Sequence, residues 1–212
     1  MKKRFYPYLW VTRLAALLAN EKSCKYAVSL LAKYQFDKHS SNYDSSEHDE
    51  MVIQRAAQLQ AEGFTVYVEN ANSFKVNGQK FDICIAGRPD IVAIKDGWTV
   101  VEDCKSGKPK DSHRMQVLLY MLLLPAAKET KEFCQNGKIP HGRLIYKHTT
   151  KEIPAYAVDQ EFKNRLHNLI AAICDIIPPK PNASIDECRY CSIPKSHCPS
   201  HISMSSNRDF VA

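Results

Sequence analysis

The sequence predicts an α/β fold in which helices flank a central mixed sheet. Two observations support this fold class. Strand-length apolar runs separated by turn residues fill the middle of the chain, and apolar residues at helical spacing precede and follow them. The 212 residues, of which 44% are hydrophobic and 25% charged, are sufficient for one compact domain with an appended segment.

Helices are predicted where apolar residues recur every three or four positions and a stop signal follows. In the third predicted helix Met51, Ala56 and Leu59 share one face, and Gly63 ends the helix. A polar, serine-rich loop is expected over residues 36–47, before this helix. The predicted helices span residues 11–18, 25–34, 48–62, 113–124 and 159–177.

Strands are predicted mainly between residues 64 and 105, where short alternating runs are separated by turns. Asn77-Gly78 is a strong hairpin signal, and Asp96-Gly97 is a second one. Together these runs predict an antiparallel meander, followed after the next helix by one further strand. The predicted strands span residues 64–69, 74–76, 81–86, 91–95, 98–105 and 142–148.

The charge balance is mildly basic, with 29 Lys and Arg against 23 Asp and Glu and a formal net charge of +6. This sign suits a polyanionic partner, although a solvated surface without a partner explains it equally well. The apolar run that follows residues 1–4 is interrupted by Arg13, and no stretch approaches the roughly 20 apolar residues that span a bilayer. We therefore expect a cytoplasmic protein without a membrane partner.

Two tetrapeptides in the predicted sheet carry the main chemical signal: Gly87-Arg88-Pro89-Asp90 and Glu102-Asp103-Cys104-Lys105. Alternate side chains of a strand share a face, so Asp103 and Lys105 point the same way and Glu102 points away from them. If Asp90 ends a neighbouring strand, two carboxylates and one ammonium group meet. Carboxylate oxygens of this kind suit Mg²⁺ or Mn²⁺.

His48, in the helix before the sheet, is a candidate third metal ligand, and the backbone carbonyl of Cys104 could complete the coordination. Lys105 would orient an attacking water or stabilise negative charge. Each residue also has a plainer interpretation. An acid-x-Lys sequence is common at solvated strand ends, Asp90 after proline could be a turn residue, and His48 could be an exposed residue among acidic neighbours.

Gln116 and Tyr120 lie four residues apart in the next predicted helix and so share one face. A polar surface strip would explain them. However, Gln-x-x-x-Tyr directly after an acid-x-Lys strand resembles the RecB-type branch of the PD-(D/E)xK nuclease superfamily. The resemblance implies an αβββαβ core and a catalytic site comprising Asp90, Asp103, Lys105, Gln116 and Tyr120. It also places Gln116 and Tyr120 in contact with DNA, and we add Arg88 to these predicted contacts. Asp103 stands where many relatives carry glutamate.

Eight cysteines are present, and three of them, Cys188, Cys191 and Cys198, cluster near the C-terminus. In a cytosolic chain such clustering indicates metal or cluster ligation rather than disulfides. Cys24, on an early helix, is the candidate fourth ligand. Zn²⁺ on the same four thiolates, or His197 or His201 in place of Cys24, are the alternatives, because spacing alone does not separate zinc from iron–sulfur.

The cysteine arrangement resembles the iron–sulfur subgroup of RecB-like nucleases, which includes the CRISPR-associated Cas-four proteins and the AddB nuclease domain. The resemblance implies a [4Fe–4S] cluster on the four cysteines. It also implies division into an N-terminal helical segment (1–47), a nuclease core (48–177) and a cysteine-rich, cluster-binding tail (178–212), folded as one unit.

The function implied by the resemblance is metal-dependent hydrolysis of DNA, single-stranded and cut from an end, in CRISPR adaptation or in DNA repair and recombination. CRISPR adaptation proteins are then candidate partners. Two alternatives remain open: a non-catalytic nucleic-acid-binding or scaffold subunit, and a structure- or site-specific endonuclease on the same core. Cleavage polarity and oligomeric state are not predicted.

Overall fold

The computed structural model describes residues 1–36 and 44–201. Its helices are α1 (Val11–Leu18), α2 (Lys25–Lys33), α3 (Ser46–Ala61), α4 (Asp111–Leu123), α5 (Gln160–Cys174) and α6 (Ile185–Arg189). Its strands are β1 (Lys2–Lys3), β2 (Tyr8–Trp10), β3 (Tyr34–Gln35), β4 (Thr65–Val68), β5 (Phe74–Asn77), β6 (Cys84–Gly87), β7 (Ile91–Lys95), β8 (Trp98–Lys105), β9 (His141–Tyr146) and β10 (Thr149–Ile153).

Five strands form a mixed sheet in the order β10-β9-β8-β7-β4, and three form a second sheet in the order β2-β6-β5. In the larger sheet β8 and β9 are parallel and are connected through α4, whereas the other pairs are antiparallel. In the smaller sheet β2 runs parallel to β6. The predicted α/β class, with mixed sheets flanked by helices, is confirmed, and the five long helices lie within a few residues of their predicted ranges.

The predicted antiparallel meander is wrong. β4 pairs with β7, so β5 and β6 leave the main sheet between them and pair with β2 instead. All four residues of β6 are buried, which a strand achieves when neighbours cover both its edges and its faces. The hairpin also differs from the two-residue turn expected at Asn77-Gly78. The Gly78 N–H donates to the Ile83 carbonyl at 2.9 Å, and six residues separate the two strands.

The order α3-β4-β7-β8-α4-β9 remains when the β5–β6 hairpin is set aside, and this is the αβββαβ order that the resemblance implies. Four strands of the structure were not predicted: the two-residue strands β1 and β3, and the longer strands β2 and β10. β2 is only three residues long, and β10 has four exposed residues and one buried residue. Neither has enough alternating apolar residues to identify it without its partner.

Alternate residues of β8 lie on opposite faces of the sheet and pack against different helices. Val101 packs in the core that α1, α4 and α5 form, whereas Val100 and Cys104 pack against the α3 residues Val52 and Leu59. The larger sheet is therefore covered by α3 on one face and by α4 on the other. This arrangement positions the end of β8 between two helices.

Glu102 is fully buried on the α3 side of β8. Arg55 of α3 contacts it through two nitrogens at 2.7 and 2.8 Å, and Arg143 of β9 donates to it at 3.1 Å. Arg143 also pairs with the exposed Glu152 at 2.7 Å. The network ties α3, β8 and β9 together, and its pairing satisfies an otherwise costly buried charge.

Within the described ranges, no helix is both long enough and apolar enough to cross a membrane. Most of the predicted loop at 36–47 lies outside those ranges, as does the end of the predicted tail. The division of the chain at residues 47 and 177 stays a prediction.

The buried network generates a stability prediction. Glu102→Gln should lower the free energy of unfolding by about 3–5 kcal/mol, because it leaves Arg55 without its negative partner and Arg143 with only the exposed Glu152. Urea denaturation followed by circular dichroism measures the change. Glu152→Gln, which removes the exposed partner of Arg143, should cost under about 1 kcal/mol. Equal losses for the two variants would show that Glu102 does not hold the network together.

Candidate metal-dependent active site

Four elements bring the predicted site residues together. Asp90 directly precedes β7, Asp103 and Lys105 end β8, His48 lies in the first turn of α3, and Gln116 and Tyr120 lie on α4. The antiparallel register of β7 and β8 places Ile91 opposite Glu102, so the start of one strand lies beside the end of the other. The polar groups therefore converge because β7 and α3 start where β8 ends, and α4 packs against the face of β8 that carries Asp103 and Lys105.

Asp90 links β7 to the end of β8. Its Oδ2 accepts a hydrogen bond from the Cys104 N–H at 2.7 Å, and its Oδ1 lies 3.6 Å from Nε2 of His48. Because the N–H and C=O of a strand residue point to the same side, the Cys104 carbonyl is also directed towards Asp90. The Asp90 carboxylate, the His48 imidazole and the Cys104 carbonyl thus lie close together.

Asp103 and Lys105 form a buried ion pair on the α4 side, with Oδ2 and Nζ 2.6 Å apart. Asp103 is only 1% exposed, and its Oδ2 accepts no well-aligned hydrogen bond. Burial raises the pKa of Asp103; Lys105 opposes this rise, and the Asp90 charge adds to it. Burial alone would lower the pKa of Lys105, but Asp103 and then Asp90 outweigh it, so the pKa of Lys105 is raised.

Gln116 organises the ion pair from α4. Its Nε2 donates to Asp103 Oδ1 at 3.1 Å and to the Tyr120 hydroxyl at 2.9 Å, while its Oε1 accepts from Lys105 Nζ at 3.3 Å. One amide therefore fixes the relative positions of a carboxylate and an ammonium group. The Gln-x-x-x-Tyr pair is part of a buried network and does not form a polar surface strip.

Tyr120 completes this network from the interior. It is 2% exposed, and its hydroxyl donates to the Arg88 carbonyl at 3.2 Å. Burial, followed by the nearby Asp103 charge, raises the pKa of its phenol well above the ordinary value, so the hydroxyl stays protonated and remains a donor. The expectation that Tyr120 touches DNA directly does not fit this burial. Its contacts position Gln116 and the Arg88 backbone instead.

The side chains of His48 and Arg88 are more accessible to solvent than those of Gln116 and Tyr120. The nearby Asp90 carboxylate raises the pKa of His48, so its imidazole holds a proton more readily than an isolated histidine. Metal ligation by Nε2 requires the neutral ring, and a bound cation would displace that proton. The Arg88 side chain is 51% exposed; its guanidinium group reaches Asn70 Oδ1 at 3.3 Å and lies 4.0 Å from the exposed Glu69 carboxylate, and its remaining donors face solvent.

The donor set suits a hard divalent cation. In the described part of the chain no three His, Cys, Asp or Glu side chains already form a metal-ligating group. Instead, Lys105 and His48 occupy the positions where they neutralise the two carboxylates. The buried Asp103 Oδ2 without an aligned donor, the Asp90 carboxylate and the Cys104 carbonyl fit Mg²⁺ or Mn²⁺ chemistry.

Two residues that the sequence pattern did not identify hold this site in place. Asn72 is fully buried, and its Nδ2 donates to the carbonyls of Tyr67, Pro89 and Asp90 at 2.9, 3.3 and 3.4 Å. Gly87 lies so close to Phe74 and Tyr120 that a Cβ there would meet their rings at 2.5 and 2.8 Å. Gly87 could have been found from its position in the Gly-Arg-Pro-Asp sequence, whereas no sequence motif marks Asn72.

The four predicted cluster cysteines line one cavity of about 140 Å³ near the N-terminus of α2. Cys24 and Cys188 are buried, whereas Cys191 and Cys198 are half-buried. His201 also lines this cavity, and its Nδ1 is buried without a hydrogen-bond partner among the described residues. His197 instead packs edge-on against Phe36, with ring centroids 5.7 Å apart. The four thiols and His201 thus line one cavity, whereas His197 does not, and among the described residues no three of these side chains already form a group that could hold a metal.

Directed hydrogen bonds hold the tail against α2. Glu187 accepts from the Cys24 N–H and from the Ser23 N–H, both at 3.1 Å, so its carboxylate caps the start of α2. The Tyr26 hydroxyl donates to the His197 carbonyl at 2.9 Å. These contacts bring the N-terminal cysteine to the three C-terminal ones.

A mixed sheet with two carboxylates and a lysine at the ends of neighbouring strands is typical of a metal-dependent nuclease core. The sequence matches the PD-(D/E)XK nuclease superfamily over residues 10–199, and the chain belongs to that superfamily. The crystal structure of SSO0001 is similar in fold, with a TM-score of 0.50 and 19% sequence identity over 94% of this chain and 89% of that chain. No curated protein is a significant match.

The close packing at Gly87 generates a second prediction. Gly87→Ala should lower the free energy of unfolding by about 1–3 kcal/mol, because the added methyl group displaces two rigid aromatic rings. Thermal and urea unfolding measure the loss. Gly107→Ala is the matched control, since a Cβ at Gly107 meets no atom within 4 Å. If both variants unfold alike, Tyr120 does not depend on the glycine for its position.

Proposed function

We propose that the protein hydrolyses phosphodiester bonds of DNA with the help of Mg²⁺ or Mn²⁺. Superfamily membership indicates a metal-dependent nuclease. The observation that carries the proposal is the convergence of Asp90, Asp103 and Lys105, with Asp103 and Lys105 2.6 Å apart at a strand end. Asp90, Asp103, His48 and the Cys104 carbonyl would hold the ion.

The chemistry divides between the ion and the chain. When bound, such an ion polarises a phosphodiester and makes nearby water a stronger acid. Asp90 and Asp103 supply the negative charge that retains it, and Gln116 keeps Asp103 from rotating out of place. Arg88, two residues before Asp90, has an exposed side chain and would hold the phosphate of the substrate.

Lys105 has a role that its environment favours. Because the neighbouring carboxylates raise its pKa, Lys105 stays positively charged at neutral pH and is not a base at that pH. A cation held 3.3 Å from Gln116 Oε1 is suited to stabilising negative charge that develops on a phosphate oxygen. We therefore assign Lys105 to charge stabilisation rather than to proton abstraction.

We further propose that the substrate is single-stranded DNA cut from an end, in CRISPR adaptation or DNA repair. The Gln-x-x-x-Tyr spacing after the acid-x-Lys strand and the four-cysteine pattern support this, because both resemble the RecB-like iron–sulfur nucleases. The scaffold alternative is disfavoured by the contacts of the site. A protein without catalysis has no need for a buried carboxylate–lysine pair held by a glutamine.

We also propose a [4Fe–4S] cluster on Cys24, Cys188, Cys191 and Cys198. Thiolates are the ligands that iron–sulfur clusters require, and one cavity contains all four. Zinc would accept the same thiolates, or three of them with His201, and metal analysis separates these outcomes. Bound to residues from both ends of the described chain, the cluster would fasten the tail to α2.

The nuclease proposal predicts the effect of removing either carboxylate. Asp90→Ala and Asp103→Asn should each lower the cleavage rate of end-labelled linear single-stranded DNA with Mn²⁺ by at least about 10²-fold, because each loses a metal ligand. The exposed Asp175→Asn, at the end of α5, should cleave like the wild type. Calorimetric titration with Mn²⁺ should show weakened binding for the first two variants alone.

Retained cleavage by Asp90→Ala would overturn the metal-site assignment. Loss of a terminal label before the interior is cut would establish an exonuclease and its polarity. Cleavage of circular single strands at the same rate would support the endonuclease alternative.

The cluster proposal predicts loss of iron and sulfide from Cys191→Ser purified without oxygen, together with lower stability. Cys174→Ser, which changes a half-buried cysteine outside the cavity, is the matched control and should keep both. Zinc instead of iron in the wild type would replace the cluster with a zinc site. Iron retained by Cys191→Ser would contradict the ligand assignment.

A further inference from the structure

A groove of about 780 Å³ opens beside the cysteine cavity, and its lining is both basic and aromatic. No aspartate or glutamate lines it within the described ranges. We call it the arginine–aromatic groove. Its aromatic lining residues are Tyr8, Trp10, Tyr34, Phe36 and Tyr190, and its arginines are Arg4, Arg13 and Arg189.

The arginines of the groove have little local compensation. Among the described residues, no carboxylate lies within ion-pair distance of Arg4 or Arg13, and Arg189 has only an exposed pairing with Asp186 at 3.5 Å. Arg4 and Arg13 line the same groove, and burial, followed by repulsion from Arg4, lowers the pKa of Arg13. Like charges held together without an acid create a site of positive potential that favours a polyanion.

The aromatic rings of the groove are accessible. Trp10 is 46% exposed and Tyr190 84% exposed, although rings of this size are normally buried. Tyr8 packs edge-on against Trp10 with ring centroids 5.6 Å apart, and the Arg4 guanidinium lies 5.7 Å from the Tyr8 ring centroid. The contact with Tyr8 fixes the Trp10 ring on one side, and the remainder of the ring is exposed to solvent.

The groove is connected to the active site through the smaller sheet. β2 is parallel to β6, and Trp10 at the end of β2 lies opposite Ala86. Ala86 is followed directly by Gly87-Arg88-Pro89-Asp90, the segment that supplies the first carboxylate. A strand lying on Trp10 would therefore continue past the exposed Arg88 towards Asp90.

We propose that the arginine–aromatic groove binds single-stranded nucleic acid, with bases stacked on Trp10 and Tyr190 and phosphates held by Arg4, Arg13 and Arg189. Accessible rings interleaved with cations are the combination that single strands require, because every base has a face that stacks and every nucleotide has a charge. A duplex hides its base faces and does not use the rings. That the ligand is single-stranded DNA rests on the proposed function. The groove adds the place where this substrate binds.

The groove and the cysteine cavity share Arg13, Tyr190 and Cys191 in their linings. Tyr190 stands between two of the predicted cluster ligands, Cys188 and Cys191. The position of one stacking ring therefore depends on how the tail is fastened. Loss of the cluster should weaken binding in the groove even though Asp90 and Asp103 remain intact.

The first test uses the two tryptophans of the chain, Trp10 and Trp98. Trp98→Phe leaves Trp10 as the only tryptophan, and Trp10→Phe leaves Trp98, which packs against Arg143 at 5.3 Å away from the groove lining. An oligothymidylate of about 15 nucleotides is added in EDTA, so that no cleavage occurs. Emission should be quenched in Trp98→Phe and unchanged in Trp10→Phe.

The second test measures affinity for the same oligonucleotide in EDTA by fluorescence anisotropy. Trp10→Ala and Tyr190→Ala should each bind roughly tenfold more weakly. Tyr156→Ala is the matched control, because Tyr156 is also 84% exposed but lies outside the groove lining. Arg189→Gln should reduce the slope of log affinity against log salt by about 0.7.

The outcomes separate this inference from the proposed function. Unquenched Trp10 emission, or equal affinity for Trp10→Ala, Tyr190→Ala and Tyr156→Ala, overturns the groove even if the wild type cleaves DNA. Groove-dependent binding without cleavage in Mn²⁺ supports the groove and overturns the nuclease. Binding of duplex of the same length as tightly as the single strand overturns the stacking assignment.

Discussion

The alternation of side chains along β8 is the constraint on which the rest of the structure depends. Asp103 and Lys105 point to the α4 face and Glu102 to the α3 face, and all three are charged groups at the end of a central strand. A slip of one residue would place Glu102 against Gln116 and Asp103 against Arg55, which would lose both networks at once. The register is therefore specified by two sets of buried charges as well as by apolar packing.

The parts of this fold that could be predicted from the sequence are those whose signal is local. β8, the Asp96-Gly97 turn and α4 have their own periodicity and turn residues, so Asp103, Lys105, Gln116 and Tyr120 could be placed on their elements. The departure of β5 and β6 from the main sheet could not be predicted, because it depends on pairing with β2, a strand of three residues more than sixty positions earlier. The role of Asn72 could not be predicted for the same reason, since its side chain donates to backbone carbonyls of distant residues.

The site itself shows a similar limit. Spacing identified Gln116 and Tyr120 as a pair, but their burial determines what they do. Because α4 packs directly on β8, Gln116 turns inward to bridge Asp103 and Lys105, and Tyr120 is enclosed beneath the Arg88 backbone. A period of 3.6 residues gives the shared face of two side chains, and only the packing of the helix shows whether that face meets solvent or the sheet.

The N-terminal segment connects the candidate metal site, the arginine–aromatic groove and the cysteine cavity. β2 pairs with the strand that leads into Asp90, and α1, which follows directly, packs in the core beside α4. Cys24 directly precedes α2, and its N–H donates to Glu187, which lies 163 residues further along the chain. The segment thus contributes to the sheet beside the carboxylates, to the arginine–aromatic groove and to the cysteine cavity. A ligand that fastens the tail to α2 therefore also fixes the groove wall, because Tyr190 and Cys191 are consecutive residues.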